Sequence, residues 1–354
     1  VRLLKTPEPL LSLYYNKSSL VPRAGGVRGL WYRFFRAAAS VVSGVGAGKN
    51  DNLRRQRRWK WFFHRLIPNL PGEYDAAMSY FHGEVSYYVM DKVRAKRKVA
   101  WVHNDYDKTG QSPDIDRPYF ARFAEIATIS PLCANALQRA FPELAAKFTV
   151  VPNLTSASVV RAMSREFEPP EFDKSAPILL SVGRLNPQKA CDLSVEAASL
   201  LKARGVAFRW YLLGDGGMRG TLERMIEEKG LTGQVVLLGA RANPYPYMRA
   251  CDVLVQNSRY EGKSVVLDEA KILGKPIVVT AYPTVADQIE ADAEGLVVPL
   301  TAQGVAEGIE RMLRDAKLRA RLCQTLQSRS YDNTGEIARY VALLTGGNPD
   351  AFVL

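Results

Sequence analysis

Histidine and cysteine are scarce in this chain, at 3 and 4 of 354 residues. The cysteines, Cys133, Cys191, Cys251 and Cys323, stand singly, with no C-x-x-C pair and no histidine at ligand spacing. That excludes a zinc ribbon or a disulfide framework and predicts a reduced, intracellular protein with buried thiols. No stretch of 18 or more apolar residues occurs, so no membrane-spanning helix is expected. No secretory signal is evident either. The first residue is Val1 rather than methionine, which suggests a trimmed or fragmentary N-terminus. Acidic residues run short in one half only. Residues 1–170 hold 26 Lys and Arg against 14 Asp and Glu, whereas residues 171–354 hold 22 of each. The whole net charge of +12 therefore precedes residue 171, which points to an anionic partner for that half.

What is present is regular, above all in the second half. Apolar runs such as "PILLSV", "RWYLL", "QVVLLG", "DVLVQN", "PIVVT" and "GLVV" alternate with amphipathic stretches such as "CDLSVEAASLLKA" and "QGVAEGIERML". Strands alternating with helices of this size predict a parallel, doubly wound sheet. In the first half "YDAAMSYF", "RKVAWVHND", "EIATIS" and "KFTVVPN" read as short parallel strands, with "PLCANALQRAF" as a helix. The expectation is two Rossmann-like domains, 1–152 and 177–330. A polar, proline-bearing linker at 153–176 would join them, and a tail at 331–354 would pack back toward the first. Ligands of such folds sit beyond the carboxyl ends of the strands, in the cleft between domains.

Two stretches carry chemistry. In "SVGRLNPQKACD", Gly183, Arg184 and Lys189 lie between a strand and a helix, where fixed positive charge and exposed N–H groups suit a diphosphate. A solvated loop would carry the same residues. In "RYEGKSVVLDEAK", Glu261 falls on a loop and Glu269 inside the following helix, for which Ser264 is a plausible N-cap. Carboxylates accept paired hydrogen bonds from vicinal hydroxyls, as ribose or a hexose offers. Taken alone, the spacing also fits two surface glutamates.

In combination, "GRLNPQK", "LLGDGGMRGTLE", "NPYPYM", "SRYEGKSVVLDEAKILGKPIVV" and "GLVVP" resemble the nucleotide-sugar domain of glycosyltransferase family 4, over about residues 176–345. The resemblance implies the GT-B fold, two Rossmann-like domains facing a cleft, and retaining transfer from a nucleotide sugar, expected to be a UDP-sugar. Arg184 and Lys189 would hold the diphosphate and stabilise it as leaving group. Glu269 would bind the ribose, while Glu261 and the amides of Gly262, Lys263, Ser264 and Val265 would hold the donor sugar. Arg241 and Asn243 would line the base. "YFHGEVSYYVMDKVRAKRKVAWVHNDYDKTG" is similar to the acceptor domain of members that build bacterial surface polysaccharides. There His103 would face the donor sugar, with Asp105 and Tyr106 on the acceptor side. No catalytic metal and no cofactor are implied. Departures from the family pattern are Ala190 for a glycine, tolerable where a helix begins, and Lys263 and Ser264 for an apolar residue and proline. The N-terminal strand and glycine-rich loop of the fold are not found, so an incomplete first domain is expected.

Competing signals are weaker. "SGVGAGKN", 43–50, departs from a P-loop at Ser43 and Asn50. "DYD", 105–107, resembles a metal-binding pair of another transferase fold, but the parallel two-domain pattern argues against it. Basic and aromatic residues interleave in "GLWYRFFRAAASVV" and "NLRRQRRWKWFFHRLI". Arg54, Arg55, Arg57 and Arg58 beside Trp31, Trp59 and Trp61 suit an anionic membrane surface, as expected of an enzyme peripheral to the inner face of the cell membrane and working on a lipid-linked saccharide or polysaccharide. The same tryptophans could instead pack as core. Two other functions stay open: an inactive fragment that binds nucleotide sugar, and a basic nucleic-acid-binding module, the less expected of the two.

Overall fold

The computed structural model describes residues 38–348 other than Ser40 and Lys49, so Trp31 and the Lys49 of "SGVGAGKN" lie outside the described residues. The chain divides into two compact units. One ends at Val151 and takes in the chain again from Ala338; the other runs from Pro152 to Ile337.

In the first unit, helix α1 (Asp51–Arg58) begins at Asn50, whose side chain accepts the N–H of Leu53. Gln56 on α1 is buried, and Trp59, Phe63 and Ile67 continue from it into the core. Trp59 is thus a core residue, its indole N–H donated to Asp91 Oδ2 at 3.0 Å, and not a membrane anchor. Four strands follow, β1 (Glu73–Ser79), β2 (Arg94–Val102), β3 (Glu125–Thr128) and β4 (Phe148–Val150). They lie side by side in chain order and all are parallel. Helices α2 (Glu84–Lys92), α3 (Pro113–Phe120) and α4 (Pro131–Ala140) connect them. The four strands fall where the apolar runs predict. The last helix, Ile337–Thr345, also serves this unit. Tyr340 and Leu343 pack on Trp101 of β2, and Arg97 donates to the Leu343 carbonyl at 2.8 Å.

The second unit opens with helix α5 (Ala157–Met163), inside the segment expected to be a linker. Val160 packs against Ile272, and Asn333 accepts the N–H of Thr155 at 2.6 Å, so this stretch is built into the domain. Seven residues in polar surroundings give too short a period to read from sequence. The strands are β5 (Ile178–Val182), β6 (Arg209–Leu213), β7 (Val235–Gly239), β8 (Val253–Gln256), β9 (Ile277–Thr280) and β10 (Leu296–Val298). Their helices are α6 (Cys191–Ala203), α7 (Arg219–Glu228), α8 (Tyr245–Ala250), α9 (Val265–Ile272), α10 (Ala302–Arg314) and α11 (Ala316–Ser328). All six strands are parallel, in the order β10-β9-β8-β5-β6-β7. Val195, Leu201, Leu222 and Ile309 bury one face, while Met248, Leu267, Ala270 and Ile289 bury the other. Burial on both faces is why these strands read as unbroken apolar runs. The order reverses at β5, which has β6 on one side and β8 on the other. That switch point opens a crevice beyond the strand ends.

All four cysteines are free; Cys133, Cys191 and Cys251 are buried, whereas Cys323 is only partly so. Among the described residues no helix is long and apolar enough to cross a membrane.

Candidate active site

Beyond β5 the chain meets the loop that follows β6. A Cβ on Gly214 would lie 1.8 Å from the carbonyl oxygen of Gly183, so the two backbones touch and Gly214, at φ +148°, has no room for a side chain. Arg184 follows, exposed, and its guanidinium takes no hydrogen bond or ion pair among the described residues. A single 3-10 turn, Pro187–Lys189, is capped by Asn186, whose side chain accepts the Lys189 N–H at 3.1 Å. Ala190 then takes a left-handed conformation, φ 46° and ψ 41°, before α6 starts. The start of a helix does not make this substitution free. An L-residue in that region costs roughly 1–2 kcal/mol, which a glycine would not bear.

Beyond β8 lies Glu261, only 7% exposed. Its Oε1 is 2.6 Å from Lys189 Nζ and accepts the Ser258 hydroxyl at 2.6 Å, while Gln188 donates to Oε2 at 3.4 Å. Thr284 donates to the Glu261 carbonyl at 2.9 Å. The switch point thus joins the ends of β5 and β8 through one ion pair between residues far apart in sequence. Such a pair, largely out of water, holds geometry at the expense of desolvation.

Ser264 stands at the N-cap of α9, but its hydroxyl does not cap the helix. It donates to Gln256 Oε1 at 2.6 Å instead, and its N–H goes to Gln288 Oε1 at 2.7 Å. The Ser264 amide is therefore occupied rather than offered to a ligand. Gly262 is buried and Val265 half-buried beside it. Lys263 is drawn sideways to Asp268, 3.2 Å away, and Lys271 sits 3.6 Å from the other oxygen of that carboxylate. Glu269 is buried on α9, accepts the Tyr245 hydroxyl at 2.9 Å, and has its carboxyl pushed up to about 7 by burial.

Arg241 and Asn243 are engaged elsewhere. Arg241 is 2.9 Å from Glu171 and donates to the Tyr247 hydroxyl. Asn243 donates to the Met163 carbonyl and to Glu166, and accepts the Tyr245 N–H, fastening α5 to the start of α8. Both serve the packing of the 157–171 segment and do not gather with Lys189 and Glu261.

In the first unit, His103 follows β2 as expected. Burial lowers its pKa to about 4, so the ring is neutral, and a ring N–H bonds to the Tyr80 carbonyl. Asp105 caps a short turn by accepting the Asp107 N–H at 3.1 Å. Tyr106 is a core residue and not a surface contact: it is buried and donates to Asp116 Oδ2 at 2.6 Å. Tyr87, itself bonded to Gln56, donates to the other oxygen of Asp116. Desolvation raises this carboxyl to about 6.

Gln188, Ser258, Thr284, Gln288 and Tyr245 complete the second-unit network and were not foreseen. Ser258 and Gln188 flank residues the sequence does single out, and Tyr245 lies within "NPYPYM". Thr284 and Gln288 carry no sequence signal, because only the fold brings the loop after β9 under α9.

Residues 163–329 match the family model described as "Glycosyl transferases group 1". The chain is 33% identical over 151 residues to the alpha-D-kanosaminyltransferase of Streptomyces kanamyceticus, covering 42% of this chain and 39% of that protein. It is 35% identical over 143 residues to a Campylobacter jejuni enzyme, N-acetylgalactosamine-N,N'-diacetylbacillosaminyl-diphospho-undecaprenol 4-alpha-N-acetylgalactosaminyltransferase, covering 40% of this chain and 38% of that protein. The matches thus span about two fifths of either relative's length. Among solved structures, Anabaena Alr3699/HepE in complex with UDP superposes with a TM-score of 0.60 at 22% identity, covering 70% of this chain and 72% of that one. That likeness places the chain in the GT-B fold.

Proposed function

We propose, with residues 163–329 belonging to the glycosyl transferases group 1 family, that this chain moves a sugar from a nucleotide sugar to a saccharide acceptor with retention at the anomeric carbon. The observation that carries the reading is the Lys189–Glu261 pair at the β5/β8 switch point, near Arg184, whose guanidinium has no partner among the described residues, and within the family's matched region. Cations at the strand ends would meet a diphosphate, and the buried carboxylate would meet sugar hydroxyls. Glu269, held by Tyr245, would take the ribose. The HepE complex with UDP supports a UDP-sugar as donor.

In the proposed reaction the bond from C1 to the diphosphate oxygen breaks while the acceptor oxygen attaches on the same face. The acceptor proton passes to the departing phosphate. Arg184 and Lys189 supply the positive charge that stabilises this leaving group, so the proposal calls for no metal or other cofactor. Neutral His103, in the first unit, would act as a hydrogen-bonding group and not as a general base. The name of the Campylobacter relative supports a lipid-linked saccharide as acceptor class. An exposed apolar and basic surface in the first unit would suit a membrane. Val41, Val42, Val45 and Trp61 are exposed, with Arg57 donating to the Val45 carbonyl at 2.6 Å and lying over the Trp61 ring. We propose on this basis that the protein works at the inner face of the cell membrane. Co-sedimentation with anionic but not neutral vesicles, weakened by salt and by Trp61→Ala, is the expected result; equal behaviour toward both vesicles overturns it.

Incubation with UDP-, GDP-, ADP- and dTDP-sugars and a saccharide acceptor tests the activity. Release of free UDP together with an α-linked product from an α-donor is expected. Binding of a nucleotide sugar without turnover would favour the alternative of an inactive binding chain. Inversion at C1 would remove the retaining mechanism.

A further inference from the structure

The loop that carries Lys189 has little of its own to hold it. Its 3-10 turn, Pro187–Lys189, ends on the left-handed Ala190. The bonds inside it are long, from the Lys189 N–H to the Asn186 carbonyl at 3.2 Å and from the Ala190 N–H to the Pro187 carbonyl at 3.3 Å. A single turn with two long bonds does not by itself aim a flexible lysine side chain.

The order comes from the loop beyond β8, and chiefly from Arg259. Its backbone N–H donates to the Gln188 carbonyl at 2.8 Å, and its Nη1 donates to the Pro187 carbonyl at 2.5 Å. The same guanidinium meets Asp192 in the first turn of α6, with Nη1 on Oδ1 at 3.0 Å and Nη2 on Oδ2 at 2.5 Å. A stitch returns the other way. Gln188 Nε2 donates to the Tyr260 carbonyl at 3.0 Å, besides its longer bond to Glu261. Residues 187–189 are thus clasped to residues 259–261 from both sides, and the Lys189–Glu261 pair closes the row.

The Arg259 and Asp192 side chains are 36% and 29% exposed, so water screens their charges and the ion pair adds little to stability. What the contact supplies is direction. A guanidinium fork on a carboxylate fixes orientation as well as charge, which an ammonium group does not. Both Nη groups are engaged with the protein itself, so Arg259 serves the loop and not the diphosphate.

We infer that Arg259 is a positioning residue for donor binding, holding the Pro187–Lys189 turn so that Lys189 meets the diphosphate already aimed. It rests on the transferase reading and deepens it, by naming what orders the diphosphate loop before the ligand arrives. Order set in advance spares the ligand the entropy of arranging the loop.

The test is calorimetric titration of UDP into the full chain, as wild type, Arg259→Ala and Arg259→Lys, each well below its melting temperature. Arg259→Ala should bind UDP about tenfold more weakly, and Arg259→Lys, which keeps the charge but not the fork, should recover little of that loss. Millimolar guanidinium chloride should restore affinity to Arg259→Ala, whereas sodium chloride at the same ionic strength should not. A role in stability alone would lower the melting temperature, leave the affinity of the folded protein unchanged and show no rescue. Equal affinity in wild type and Arg259→Ala, or weak binding that guanidinium does not rescue, overturns the inference. Should Arg259→Ala not fold, equal affinity in wild type and Arg259→Lys decides against it just as well. No binding of UDP by the wild type overturns the transferase reading and the inference with it, so the two failures are distinguishable.

Discussion

The two units place different chemistry beyond their strand ends. In the second, charges dominate and nearly every one is matched, Lys189 with Glu261 and Lys263 with Asp268. In the first, the corresponding end of β1 and β2 is aromatic, and His82 Nδ1, His103 Nε2 and Gln111 Oε1 take no partner among the described residues. A matched ionic network is poised to exchange partners with a charged ligand, whereas unmatched acceptors wait for donors. The same doubly wound design thus carries an ionic network at the strand ends of one unit and an aromatic cluster at those of the other.

The largest effect should come from cutting the ionic side of this contrast. Lys189→Ala leaves Glu261 buried without its cation, and should destabilise the protein by about 3–5 kcal/mol as well as weakening donor binding at least tenfold. Differential scanning calorimetry and titration with UDP check the two parts separately. Glu269 comes next. Its carboxyl sits at about 7 in the folded state against 4.5 ordinarily, because burial penalises the charged form. The folded pKa is raised, so the native state favours the proton. Wild-type stability relative to Glu269→Gln is highest below pH 4.5 and falls as pH rises to about 7, by roughly 3 kcal/mol in all. Thermal unfolding of both proteins between pH 4.5 and 8 gives the measurement; parallel profiles would show that burial does not govern this carboxyl.

The neutral side is sharpened by Tyr106→Phe, which removes one of the donors to the buried Asp116. A loss of about 1–2 kcal/mol in stability with unchanged acceptor KM is expected, since Tyr106 belongs to the core. A raised KM with unchanged stability would return it to the acceptor surface. The smallest effect should be Ala190→Gly. Relief of the left-handed conformation, partly offset by the entropy of the unfolded chain, should stabilise by about 0.5 kcal/mol and leave UDP affinity unaltered.

Much of the second unit was legible because its strands are buried on both faces and read as apolar runs between amphipathic helices. Lys189 and Glu261 were each identifiable from local setting, yet their pairing was not, since only the β5/β8 neighbourhood joins them. Tyr106 misled for a physical reason: a tyrosine between aspartates looks solvated until Asp116 takes its hydroxyl indoors. Arg241 and Asn243 depart from expectation likewise: Asn243 bonds to Met163 at the end of α5 and to Glu166 just past it, and Arg241 to Glu171 farther on, in a segment too irregular to announce itself. The aromatic stretch before residue 70 was ambiguous between core and surface, and it proved to be both, with Trp59 buried and Trp61 exposed.

The central claim is that the crevice beyond β5 and β8 holds a nucleoside diphosphate. Arg184 tests it most directly, because its exposed guanidinium has no partner among the described residues and its removal should not disturb the fold. Isothermal titration of UDP into the wild type and Arg184→Met should show about tenfold weaker binding in the variant, at an unchanged melting temperature. Equal affinity for UDP in the two proteins, or no binding by the wild type, would contradict it.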